Sequence, residues 1–242
     1  MKKYVNLFVF VFMVGTCFSQ GKAQTKSAVS YKNPVVDIAM PDPTVIKAAD
    51  GYFYVYATES TRNVPIMKSK DLVQWTYCNT AFTNKTRPRF EPKAGIWAPD
   101  INYINNKYVL YYAMSVWGGE QTCGIGVATA DSPQGPFTDH GKMFRSNEIG
   151  VQNSIDPSFL QYEGRNYLVW GSFRGIYVIE LTEDGLSLKP GAEKKRIAGT
   201  AFEAAHIHKH GDYYYMFASI GSCCEGIRST YKVVVGRSKK VW

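Results

Sequence analysis

The sequence predicts an all-β chain folded as a β-propeller, and three observations predict it. One strand–turn–strand pattern recurs four times along the chain. No long stretch beyond the first residues keeps a 3.6-residue apolar period, so no helix is available to build around. The chain is rich in Tyr (17) and Phe (13), side chains that suit a pleated, half-buried surface.

The four units open at Asp42, Trp97, Asp156 and Glu203. In each, an aromatic residue eleven positions on begins a second strand: Phe53–Thr58, Tyr108–Ala113, Tyr167–Ser172 and Tyr214–Ser219. Polar turns separate the two strands, at Ala49-Asp50-Gly51, Asn105-Asn106, Glu163-Gly164 and His210-Gly211-Asp212. Third strands are predicted at Val64–Ser69, Gly124–Ala130, Gly175–Leu181 and Tyr231–Ser238, and tails such as Leu72–Trp75 and Gly135–Thr138 are expected to supply the outer strand. Four strands in roughly 50 residues per unit form the propeller signature. A sandwich is the rival all-β reading, and four similar units favour radial repetition. The count reads as a five-bladed architecture truncated to about four blades, because the fourth unit stops at Lys240-Val241-Trp242.

Residues 1–23 read as a signal peptide, with Lys2 and Lys3 ahead of the apolar run Leu7–Val14 and small residues, Gly21 and Ala23, before the cut. The run is short for a membrane span. Cys17 only loosely resembles a lipoprotein signal, so export to the periplasm or beyond is expected, with a surface lipoprotein less favoured. Residues 24–242 are then one propeller domain lacking its last blade. The net charge of +8 is scattered along the chain, which argues against a nucleic-acid partner, and a monomer is expected. Cys78, Cys123, Cys223 and Cys224 do not match a zinc site. Adjacent Cys223 and Cys224 are not expected to bridge, and small buried thiols are the expectation.

In a propeller the innermost strand of every blade runs along the central channel, so equivalent positions meet at one end of it. The repeat therefore predicts that Asp42, Asp156, Glu203 and Trp97 converge on one pocket. Carboxylates brought together raise one another's pKa values, so that one holds a proton at neutral pH. Inverting glycoside hydrolysis needs that division: one acid protonates the leaving oxygen while another carboxylate activates water. Trp97 offers a flat apolar wall for a sugar ring. Taken singly, each Asp-Pro reads as a turn, but Glu203 lies in an apolar setting where an unpaired charge is costly.

At these residues the chain resembles glycoside hydrolase family 43 from about Asn33 to Ser238. The resemblance implies an inverting arabinanase, arabinofuranosidase or xylosidase on a five-bladed propeller. It makes Asp42 the general base, Asp156 the residue that orients the acid and raises its pKa, and Glu203 the general acid. Asn153–Pro157, Gly171-Ser172-Phe173, Cys223–Gly226 and Ser229–Ser238 are similar to the arabinanase branch, which places Asn153, Ser172 and Phe173 beside the sugar. The implied substrate is arabinan or an arabinose-containing oligosaccharide. No cofactor is implied for the chemistry and no metal ligand is assigned, although the likeness allows a structural calcium in the channel of a complete propeller. His206, His208 and His210 alternate along a strand and read as surface side chains. Ala205 and Arg174 depart from the family pattern, where Pro and Trp are usual. The rival readings are a β-xylosidase, an exo-acting arabinofuranosidase, and a sugar-binding propeller without activity.

Overall fold

The computed structural model describes residues 30–242, so the leader predicted over residues 1–23, with Cys17, lies outside them. The described chain forms four antiparallel sheets laid out in chain order. The first holds β1 (Thr44–Lys47), β2 (Phe53–Tyr56), β3 (Pro65–Ser69) and β4 (Thr76–Thr80). The second holds β5 (Gly95–Ile104), β6 (Lys107–Ser115), β7 (Gly124–Ala130) and β8 (Thr138–Arg145), followed by the single-turn helix α1 (Ser146–Ile149). The third holds β9 (Ser158–Tyr162), β10 (Arg165–Trp170), β11 (Ile176–Glu180) and β12 (Lys195–Ala198), and the last holds β13 (Glu203–His210), β14 (Tyr213–Ile220) and β15 (Lys232–Ser238). The first strands of successive sheets touch, β1 with β5, β5 with β9 and β9 with β13. The sheets are thus blades around a common channel.

The outer strands differ from the sequence expectation. Asp71 Oδ1 accepts the N–H groups of Val73 (2.9 Å) and Gln74 (2.7 Å), so Leu72–Trp75 is a turn and β4 begins after it. In the second blade Gly135–Thr138 likewise leads into β8 instead of forming it. Strand β12, Lys-Arg-Ile-Ala, carries too little apolar patterning to be seen in the sequence.

Apolar burial lies between blades. Tyr54, Tyr56, Ile66, Leu110, Tyr112 and Phe137 fill the layer between the first two. Tyr111, Val127, Phe144, Leu168 and Trp170 fill the next, and Val169, Ile176, Val178 and Ile207 the third. Part of the rich Tyr content, Tyr54, Tyr56, Tyr111 and Tyr112, is therefore core.

Asp100, 8% exposed, crosses between blades. Its Oδ2 accepts the Phe159 N–H at 2.7 Å and the Asn102 amide at 2.7 Å, while Thr44 Oγ1 stands 3.5 Å from Oδ1. One carboxyl on β5 so satisfies a donor on β9 and reaches β1, and removing it would leave the half-buried Phe159 amide without that partner. The sequence reading gives Asp100 no role.

The cysteine expectation is corrected. Cys123 is buried and Cys78 half-buried, as free thiols, but Cys223 and Cys224 form a disulfide between neighbours. Cys224 adopts a left-handed backbone (φ 69°) within the β14–β15 loop, which bends the chain enough for the two sulfurs to meet.

Candidate active site

The residue that leads each blade into its inner strand has a left-handed backbone: Asp42 (φ 50°), Ala98 (φ 40°), Asp156 (φ 58°) and Ala204 (φ 52°). Asp tolerates this region better than most residues, whereas for Ala it costs about 1–2 kcal/mol. The register expected from sequence thus splits in two. Asp42 and Asp156 occupy the left-handed position, while Trp97 and Glu203 stand one residue before it. The pairing of β5 with β6 slips between Trp97 and Asp100, and that of β13 with β14 slips between Glu203 and His206. A bulge in each strand supplies the extra residue and re-aims the side chain.

The structure brings the acids together. Asp156 Oδ2 accepts the Ala204 N–H at 3.2 Å, one residue past Glu203. Burial pushes the Asp156 carboxyl well above the usual carboxylate range, and the charges of Glu203 and then Asp42 push the same way. Asp42 is exposed, Asp156 partly so, and Glu203 is 8% exposed. The carboxyl whose pKa is raised is that of Asp156.

Asn153 and Ser172 stand in one hydrogen-bond chain that ends on Glu203. Ser172, 2% exposed, bridges Glu203 across the blades. The Asn153 amide donates to Ser172 Oγ at 2.9 Å and to its carbonyl at 3.2 Å, and Ser172 Oγ donates to Glu203 Oε2 at 2.6 Å. With its acceptor side taken, the serine hydroxyl must give its proton to Glu203. Gly171 makes this approach fit: its φ is 130°, and a Cβ there would come within 2.2 Å of the Gly175 carbonyl oxygen. Phe173, half-buried, follows at φ 51°, its N–H bonded to the Phe202 carbonyl at 2.9 Å.

Trp97 is half-buried, and its ring centroid lies 6.2 Å from that of Trp117, which is 80% exposed in the β6–β7 loop. The planes of the two indoles are tilted by 57°. Arg174 pairs with Glu120 of the same loop at 2.8 Å, so this arginine is a strut as well as a departure from the usual Trp. From the last blade, Tyr231 approaches the acid. Burial and then the Glu203 carboxylate raise its phenol. Sequence reasoning passed over Thr58, Asp100, Trp117 and Tyr231. Only Trp117 leaves a local signal, an aromatic followed by two glycines after a buried strand.

The family model for glycosyl hydrolases family 43 matches residues 31–242. The chain belongs to that family. It is 36% identical over 214 residues to an extracellular endo-α-(1→5)-L-arabinanase of Bacillus subtilis, a match covering 83% of this chain and 65% of the relative. It is 33% identical to an extracellular exo-α-(1→5)-L-arabinofuranosidase of Cellvibrio japonicus, covering 83% of this chain and 64% of the relative. Among solved structures, an α-L-arabinanase of Cellvibrio cellulosa complexed with arabinohexaose superposes with a TM-score of 0.75 at 31% identity, over 84% of this chain and 72% of that one. The chain thus spans about 65% of the length of the Bacillus relative it matches.

For a family 43 chain, the donor set bears on the channel calcium that the likeness allows. Among the described residues no group of three His, Cys, Asp or Glu side chains is placed to hold an ion. His206, His208 and His210 lie exposed on one face of β13, as the sequence predicts. His206 Nδ1 is 3.1 Å from Ser158 Oγ.

The Asp156 environment makes a testable statement about stability. A carboxyl whose folded pKa is raised binds its proton more tightly folded than unfolded. Its stabilising contribution is full below the unfolded pKa and is lost as pH rises through the folded one. Asp156→Asn is therefore expected to raise Tm at pH 7, with the gap to wild type closing as pH falls through the raised folded pKa towards about 3.9, the ordinary Asp value. Thermal melts across pH 3–8 check this, and an unchanged or lowered Tm at pH 7 counts against the strained carboxyl.

Proposed function

We propose that this chain hydrolyses α-1,5-linked L-arabinan with inversion, acting outside the cytoplasm. One observation carries the reading: a carboxyl with a raised pKa, Asp156, stands under the charges of two further acids, one enclosed and one open to water. Glu203, buried and fed by the Ser172 hydroxyl, is the general acid that protonates the leaving oxygen. Asp42, at the solvent edge, is the general base that takes a proton from the attacking water. Asp156 holds the Ala204 amide and so fixes the Glu203 backbone, orienting the acid. Trp97 and Trp117 pack on the C–H face of the sugar.

The arabinan substrate is supported by relatives named for 1,5-linked arabinan and by the neighbour solved with arabinohexaose. Export is supported by the leader-like first residues and by the extracellular naming of those relatives. The purified chain is expected to cleave linear 1,5-arabinan, releasing β-configured arabinose ends first when followed by proton NMR. Early mixed oligosaccharides indicate endo action, and one fixed short product indicates exo action. No turnover of arabinan or of aryl arabinofuranosides, or an α-configured first product, defeats the proposal.

A further inference from the structure

The hydrogen bonds around Asp42 implicate a second residue in the work of the base, an inference that rests on the hydrolase reading above. The Asp42 side chain is exposed, and among the described residues its one hydrogen bond comes from Thr58 Oγ1, 2.5 Å from Oδ2. A threonine hydroxyl carries a single proton and accepts at the same oxygen. The Ala98 N–H donates to Thr58 Oγ1 at 2.7 Å. With that side of the oxygen occupied, and an ionised Asp42 able only to accept, the hydroxyl proton goes to Oδ2.

Thr58 is itself fastened at a joint of three segments. Its N–H donates to the Pro41 carbonyl at 2.9 Å, and the next residue, Glu59, donates its N–H to the Ile96 carbonyl at 3.1 Å. The Glu59 carboxylate is gripped by both terminal nitrogens of Arg87, each at 2.6 Å, and accepts the N–H groups of Asn63 (2.7 Å) and Ile96 (2.9 Å). The hydroxyl is therefore a fixed point facing an otherwise unsupported carboxylate. The same fold element on the acid side, Asn153 to Ser172 to Glu203, uses the same logic: an amide saturates a hydroxyl, and the hydroxyl aims at a carboxyl.

We propose that Thr58 is the positioning residue of the general base, holding Oδ2 of Asp42 so that Oδ1 meets the attacking water. Because its oxygen also takes the Ala98 amide, it aligns the base with the peptide that follows Trp97, the sugar wall. A freely rotating carboxylate would spend much of its time out of line with the anomeric carbon, and small misplacements of a catalytic group are expensive in rate.

The test compares wild type, Thr58→Val and Thr58→Ser on an aryl α-L-arabinofuranoside and on linear arabinan, with and without sodium azide. Thr58→Val keeps the shape and removes the hydroxyl, and kcat is expected to fall about 10–100-fold with KM within about threefold of wild type. Thr58→Ser restores the hydroxyl and is expected within about fivefold of wild type. Azide attacks the anomeric carbon without giving up a proton, so it needs no base. The C–N bond forms as the C–O bond breaks, Glu203 supplies the proton to the leaving oxygen, and β-arabinosyl azide accumulates. Azide should therefore raise turnover of Thr58→Val on the aryl glycoside and leave wild type unchanged. An active wild type with an equally active Thr58→Val overturns the role of Thr58 alone. So does a Thr58→Ser as slow as Thr58→Val, or a slow Thr58→Val that azide does not help. A wild type inert on every substrate brings down the hydrolase reading, and the role of Thr58 with it.

Discussion

Replacing Glu203 by Gln is expected to slow arabinan hydrolysis by about 10²–10⁴-fold, the usual contribution of a positioned acid. Glutamine keeps the shape of the side chain, and its amide oxygen can still accept the Ser172 hydroxyl that meets Glu203 Oε2 at 2.6 Å. What it lacks is a transferable proton. The loss should therefore depend on the leaving group. An arabinosyl alkoxide cannot depart unprotonated, while a nitrophenolate can, so the aryl glycoside should lose far less rate than the polysaccharide. Steady-state rates on both substrates with the same protein settle the matter, and equal losses on the two would show that Glu203 is not the acid.

Asp42→Asn is expected to cost as much, about 10²–10⁴-fold, but with a different signature. The attacking water needs a base whatever the leaving group, so polysaccharide and aryl glycoside should fall together. Azide should restore turnover of the aryl substrate by Asp42→Asn and give β-arabinosyl azide, and it should do nothing for Glu203→Gln on arabinan. The substitution is a clean one. Asn adopts the left-handed backbone as readily as Asp, so the φ of 50° at this position is kept, and the amide oxygen can accept the Thr58 hydroxyl. A folded Asp42→Asn with near wild-type rates would remove Asp42 from the mechanism.

Much of the blade architecture was legible because the repeat is dense with chemical punctuation. Asp-Pro or Ala-Pro opens three units, aromatic residues open the second strands, and polar turns part them. The third strands fell within a residue or so of the predicted runs: β7 at Gly124–Ala130, β3 and β11 slightly shorter. The outer strands were misplaced because an Asp71 side chain folds its own turn, and no apolar rhythm marks the edge of a blade. The acids were legible for the same reason as the blades, since each sits at a repeat boundary. Their register was not, because a bulge adds a residue without changing composition. The sequence repeat sets Trp97 and Glu203 level with the two aspartates, whereas each stands one residue before the left-handed position. Thr58 was out of reach for another reason. It lies at the end of the predicted second strand of the first unit, and its partners come from the segments around Pro41 and Ala98, so only folding brings its hydroxyl to Asp42.

The left-handed backbone at residues 42 and 156 also limits what descent can do with this site. Lengthening either aspartate to glutamate adds a methylene to a strained position and removes the short side chain that eases the strain, so the two changes oppose the fold and the chemistry at once. Glu203 stands clear of that constraint, one step earlier, where a long acid fits. The division into two short acids and one long one thus follows the main chain, and a glutamate at residue 42 or 156 would carry the left-handed cost of about 1–2 kcal/mol.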